Sequence, residues 1–141
     1  MIRKLSTAAS AFSFLLGLSA APLMAADEHK HDHKITTFES AAAGVKAVDG
    51  LIAEVRAKVA KGDFEGLHPT SEEVKSAAEA LEGRLGEIAA ENKDRFKFNA
   101  NQLKSVANDL EEAHESKNKD EAEKAAKRME SIRDRLRTLT P

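Results

Sequence analysis

The sequence predicts an all-α fold: an antiparallel up-down-up-down four-helix bundle preceded by a signal peptide and a disordered, histidine-rich leader. Three observations point to it. Apolar residues recur at alternating steps of three and four along four successive segments, the period of a helix with one buried face. Alanine, glutamate and lysine dominate a chain that lacks tryptophan and tyrosine, and glycine and proline thin out after residue 70. At the amino end, Arg3 and Lys4 precede a neutral run from Ala8 to Ala21 that is too short to span a bilayer, followed by Pro22 and the small residues Ala25 and Ala26.

That amino-terminal pattern predicts export, with cleavage after Ala25 or after Ala26 and no membrane span thereafter. In a Gram-negative bacterium such a chain would be periplasmic. Cleavage removes two of the 22 basic residues and none of the 24 acidic ones, so the mature chain carries a net charge of about −4, which argues against nucleic acid as a partner. About 115 residues suffice for one domain with one core. Cysteine is absent, so disulfides, thiolate metal sites, cysteine nucleophiles and c-type haem attachment are excluded.

The first helix is expected over 36–61. Its stripe is Phe38, Ala41, Val45, Val48, Ile52, Val55 and Val59, with Thr36 and Glu39 as a capping box and Gly62 as terminator. After the linker GDFEGLHP, Thr70 and Glu73 form a second capping box. The second helix, over 71–91, then carries Val74, Ala78, Leu81, Leu85 and Ile88 inward. The junction ENKDRF has neither glycine nor proline, but a continuous helix would turn Asn92 and Arg95 to the core. A third helix over 94–117 is therefore expected, capped by Asp94, with Phe96, Ala100, Leu103, Ala107, Leu110 and His114 on its inner face. The fourth, over 120–139, aligns Ala122, Ala125, Met129, Ile132, Leu136 and Leu139 before Pro141. Burying four such stripes against one another stabilises each, and short connections favour antiparallel neighbours. Alanines 41, 78, 100 and 125 would permit close approach, and Met129 belongs to the core. Failure of the break near 92–95 would leave a three-helix, dimeric assembly as the alternative.

The exported acidic domain, its four helices and the stretch AHESKNKDEAEKAAKRMESIRDRL resemble the small periplasmic bundles of the cytochrome b562 and cytochrome c′ type. The resemblance covers the mature chain by architecture and residues 113 to 136 by local sequence. It implies a bundle without haem. The b562 type holds haem with a methionine early in helix one and a histidine late in helix four, where this chain has Phe38 and no methionine, and Arg133 and Arg137. The c′ type requires CxxCH. Through Leu67-His68-Pro69 the chain is also similar to small helical proteins encoded beside periplasmic metal-efflux systems.

The five histidines are the chemical candidates, all of them read as possible metal ligands. His29, His31 and His33 form HKHDH, among Asp27, Glu28 and Asp32. Neutral imidazoles on a mobile tail can gather around Cu(II), Ni(II) or Zn(II). Cleavage after Ala26 would create Asp27-Glu28-His29, whose amine, two amides and ring form a square-planar nitrogen site for Cu(II) or Ni(II). Cleavage after Ala25 leaves a looser cluster. The plain alternative is a solvated polar leader. His68 and His114 are expected at one end of the bundle, with Asp63, Glu111 and Glu115 able to add oxygen ligands in a mixed site for Zn(II) or Cu(II). Here the plain alternative is a histidine favoured by the helix macrodipole and another shaping a turn.

No catalytic constellation and no phosphate-binding loop is present, so an enzyme is not expected. The function expected is buffering or delivery of a divalent transition metal (Cu, Ni or Zn) in the periplasm, linked to metal efflux or resistance. The alternative is a chaperone-like or adaptor module that uses a bundle face to hold a periplasmic protein partner. A homodimer is compatible with either.

Overall fold

A computed structural model describes residues 37–141. The signal sequence, its cleavage point and the leader with His29, His31 and His33 lie outside the described residues. The described chain forms four α-helices and no strand: α1 (Ala41–Lys61), α2 (Leu67–Glu82), α3 (Lys93–Ser116) and α4 (Lys119–Leu139). Single 3-10 turns at Leu85–Glu87 and Ala90–Asn92 join α2 to α3. No helix among these residues is long and apolar enough to cross a membrane.

Helix α1 starts later than the sequence suggests. Ser40, not Thr36, is its cap, with extended backbone and Oγ accepting from the Ala43 amide at 3.1 Å. The carboxylate of Glu87 accepts from the Ala41 amide at 2.7 Å, placing a negative charge on the positive end of the helix. At the other end Gly62 adopts φ 70°, and the Asp63 amide reaches back to the Lys58 carbonyl at 2.9 Å. This left-handed turn is the one the glycine foreshadowed.

The expected start of α2 at residue 71 is corrected to Leu67. The linker GDFEGLHP places Pro69 ahead of the expected helix, yet in a first turn its missing N–H leaves no hydrogen bond unmade. Thr70 is therefore not a cap. It lies inside the helix, buried, and its hydroxyl is 3.0 Å from the Gly66 carbonyl. The expected end at 91 is corrected to Glu82. Gly83 and Gly86 each disfavour helix by about 1 kcal/mol relative to alanine, and the chain turns so that Glu87 reaches α1 and Arg84 donates to the Phe38 carbonyl. Ile88 remains buried, in extended backbone. The break thus falls across 83–92, ahead of the junction where the apolar phase changes.

Asn92 precedes α3 without a side-chain cap, and Asp94, expected as the cap, sits in the first turn, where its charge still suits the macrodipole. Helix α3 ends at Lys117, in a left-handed conformation with φ 51°. Asn118 then caps α4, its Oδ1 accepting from the amides of Asp120 and Glu121 at 3.0 and 3.3 Å.

Helices α1 and α3 each pack against both α2 and α4. One core joins Val45, Val48, Ile52 and Val55 to Val74, Leu81, Phe96, Leu103, Leu110, Met129, Ile132 and Leu136. Ala41, Ala78, Ala100 and Ala125 are buried within it. Gly44 marks a close approach in the core: a Cβ there would lie 2.6 Å from Leu81 Cδ2 and 2.7 Å from Phe38 Cδ2. Polar contacts join the last turns of α4 to the early turns of its neighbours. Arg133 and Arg137 both pair with Asp49 of α1, and Arg135 Nε donates to Asn99 Oδ1 of α3 at 2.6 Å.

Candidate functional site

Two turns of helix and one loop bring His68 and His114 together. His68 occupies the first turn of α2, a position available because the helix begins ahead of Pro69. Glu111 and His114, three residues apart near the end of α3, share one helix face. The ring centroids of the two histidines are 5.6 Å apart, with planes inclined by 34°.

Each ring is held by its Nδ1. His68 Nδ1 lies 2.7 Å and 2.8 Å from the two oxygens of Glu111. His114 Nδ1 lies 2.9 Å from the Phe64 carbonyl in the loop between α1 and α2. A carbonyl only accepts, so His114 carries its proton on Nδ1; a charged carboxylate imposes the same tautomer on His68. In each neutral ring Nε2 is then the lone-pair nitrogen. Buried Ser71 fixes the carboxylate in turn, with Oγ 2.8 Å from Glu111 Oε2 and 2.7 Å from the His68 carbonyl.

Burial pushes the Glu111 carboxyl up, but hydrogen bonds from His68 and Ser71 and the nearby imidazoles outweigh it, and the net shift is downward. The carboxylate therefore stays ionised and keeps accepting from His68. Imidazoles oriented through Nδ1 by a carboxylate and a main-chain carbonyl are arranged as metal-bound histidines are.

The oxygen ligands expected from the sequence go elsewhere. Glu111 orients His68 through Nδ1. Asp63 Oδ1 accepts from the Gly66 amide at 3.0 Å, and Glu115 is exposed. Among the described residues no group of three or more histidine, aspartate or glutamate side chains is spaced to hold a metal ion. What the fold assembles is a pair of imidazoles, each held at Nδ1 by an oxygen acceptor.

A second polar cluster braces the same loop. Lys58 Nζ donates to Glu54, to the Gly66 carbonyl at 2.9 Å and to Thr70 Oγ1 at 2.6 Å. The hydrogen bond from Lys58 holds the Glu54 carboxyl below its ordinary range, against burial and with help from Thr70. Nothing in the linear sequence connects Ser71 to Glu111, or Lys58 to Thr70. Both links depend on the start of α2 at Leu67, which places residues 67, 70 and 71 on its first two turns.

Comparison of the chain with protein-family models, with curated proteins and with solved structures finds no match.

Proposed function

We propose that this protein is exported to the periplasm and binds a divalent transition metal, which it buffers or delivers in connection with metal efflux or resistance. The observation that carries the proposal is the pair His68 and His114, each held at Nδ1 by an oxygen acceptor, with ring centroids 5.6 Å apart. Pre-oriented imidazoles bind a metal with less ordering cost than histidines of an unstructured peptide. The leader histidines His29, His31 and His33 are assigned a capture role, as a second set of ligands. The up-down-up-down order of the helices belongs to the same proposal, and the polar contacts between the end of α4 and the early turns of α1 and α3 support it.

The test is calorimetric titration of the mature chain with Zn(II) and Cu(II), alongside His68→Ala/His114→Ala and a variant with His29, His31 and His33 changed to alanine. The reading requires that the pair variant lose a class of sites that the leader variant keeps. Identical binding by the pair variant and the parent would refute it. A protein-interaction module gains little from the described surface: Phe98, 62 % exposed, is its only large exposed hydrophobic side chain, and single apolar residues are ordinary on monomers.

A further inference from the structure

We propose that the groove between the end of α1 and the start of α4 binds an aliphatic carboxylate, the monomeric anion of a medium-chain fatty acid, with the hydrocarbon chain in the groove and the carboxylate among the basic side chains at its rim. Neither histidine of the pair lines this groove, so the site is independent of the metal-binding reading.

Where the last turns of α1 pass the first turns of α4, the two helices leave a hollow of about 270 Å3 that is open to solvent. Val59, Ala60 and Ala126 supply its apolar lining, and Val59 and Ala126 belong at the same time to the core. An apolar cavity of about 150 Å3 admits the six carbons of benzene, so by proportion this hollow admits a chain of about ten. Its concave form suits one chain better than a bilayer surface, whose headgroups would meet the rim without reaching Val59 or Ala126.

Charge selects an anion. Three cations, Arg56, Lys119 and Lys127, line the hollow against one carboxylate, that of Glu123. Arg56 pairs with Glu130 at 2.6 Å and Lys119 with Glu123 at 3.7 Å, and both cationic side chains are more than half exposed. Such pairs contribute little to stability and leave N–H groups of the guanidinium and the ammonium for another acceptor. Lys127 forms no ion pair among the described residues. The wider field has the same sign. Helix α1 carries four basic and two acidic residues and α4 seven and five, whereas α2 carries one and four and α3 four and five. The helices that form the groove are thus the basic half of a chain whose formal net charge is −2, and their summed field draws anions to this side.

The experiment is calorimetric titration of the metal-free mature chain at about pH 7.5, where the ligand is ionised, with hexanoate, octanoate and decanoate below their micellar concentrations. Octanol and octyltrimethylammonium serve as uncharged and oppositely charged probes. Three variants are compared with the parent: Lys127→Glu; Ala60→Leu, which fills the hollow from an exposed helical position; and Lys97→Glu, which makes the same charge change at an exposed position on α3. The expected result is one decanoate per chain, with affinity rising by about two- to fourfold per added methylene. Octanol should bind about tenfold more weakly than octanoate, and octyltrimethylammonium not at all. Lys127→Glu should weaken octanoate about fivefold, Ala60→Leu should abolish its binding, and Lys97→Glu should leave it unchanged. Absence of decanoate binding overturns the proposal, as does octanol binding as tightly as octanoate. Binding retained in both Lys127→Glu and Ala60→Leu places the ligand elsewhere and overturns it. An equal loss in Lys97→Glu and Lys127→Glu reduces the effect to net charge and overturns it. Adsorption to vesicles of anionic phospholipid without binding of the free carboxylates assigns the basic face to a membrane surface and overturns it.

Discussion

At the scale of single residues, the two histidines combine two jobs that substitution can separate. Through Nδ1, His68 ties the first turn of α2 to α3 and His114 ties the loop between α1 and α2 to α3; the proposed second job is to hold a metal. Replacing His114 by alanine removes its bond to the Phe64 carbonyl and should lower stability by about 1 kcal/mol, measured by urea unfolding of the metal-free protein. His114→Asn should recover most of that loss without recovering zinc binding. Equal stability of the two variants would show that the Phe64 contact contributes nothing.

Glu111 supplies a pH signature. Its folded carboxyl titrates below the ordinary glutamate range, so the unfolded chain takes up a proton first as the solution is acidified. Its stabilising contribution is complete above the ordinary glutamate value of about 4.3 and is lost as the pH falls through the lower folded value. Glu54 behaves in the same sense through Lys58. Acid unfolding of Glu111→Gln should accordingly show a shallower pH dependence below about 4.3 than the parent. An unchanged slope would contradict the assignment. Lys117 offers an independent check on the backbone: in its left-handed conformation, glycine should be more stable than lysine by about 1 kcal/mol by urea unfolding.

Among the helices, two glycines of α1 should respond in opposite ways. Around Gly50 nothing lies within 4 Å of a built Cβ, so Gly50→Ala should raise stability by about 0.5–1 kcal/mol through helix propensity. Gly44→Ala should lower it, because the new methyl meets Leu81 and Phe38. Thermal unfolding of the two variants checks the sign of each.

Helix number and the buried stripes were legible in the sequence because the three-four period survives along each segment and tertiary packing uses it. Helix ends were less legible. The sequence reading puts the cap at Thr36, whereas the structure caps α1 with Ser40, and the Glu87 carboxylate, which arrives from 46 residues away, contacts the chain just after it. Pro69 resembles a stop in the sequence but sits where a first turn tolerates it. The approach of His68 to His114 followed from the antiparallel order that the sequence reading expects. The part taken by Glu111 did not, since a carboxylate three residues before a histidine carries no mark of whether it binds metal or orients another imidazole.

For the molecule as a whole, the arginine contacts of α4 and the histidine pair lie in different parts of the helical fold. The α4 arginines, Asp49 and Asn99 tie the helices together near the start of α1, while the histidine pair, Glu111 and the 62–66 loop occupy the region where α1 ends and α2 begins. A metal at the histidine pair therefore should add to the stability of the folded state by mass action without repacking the core. The most direct measurement of the central claim is the Zn(II)-dependent shift in thermal unfolding of the mature chain, compared with that of His68→Asn/His114→Asn. The account predicts a rise in Tm that grows with zinc concentration in the parent and is lost in the double variant, whose metal-free Tm stays close to that of the parent. An equal zinc-dependent rise in both proteins would contradict it.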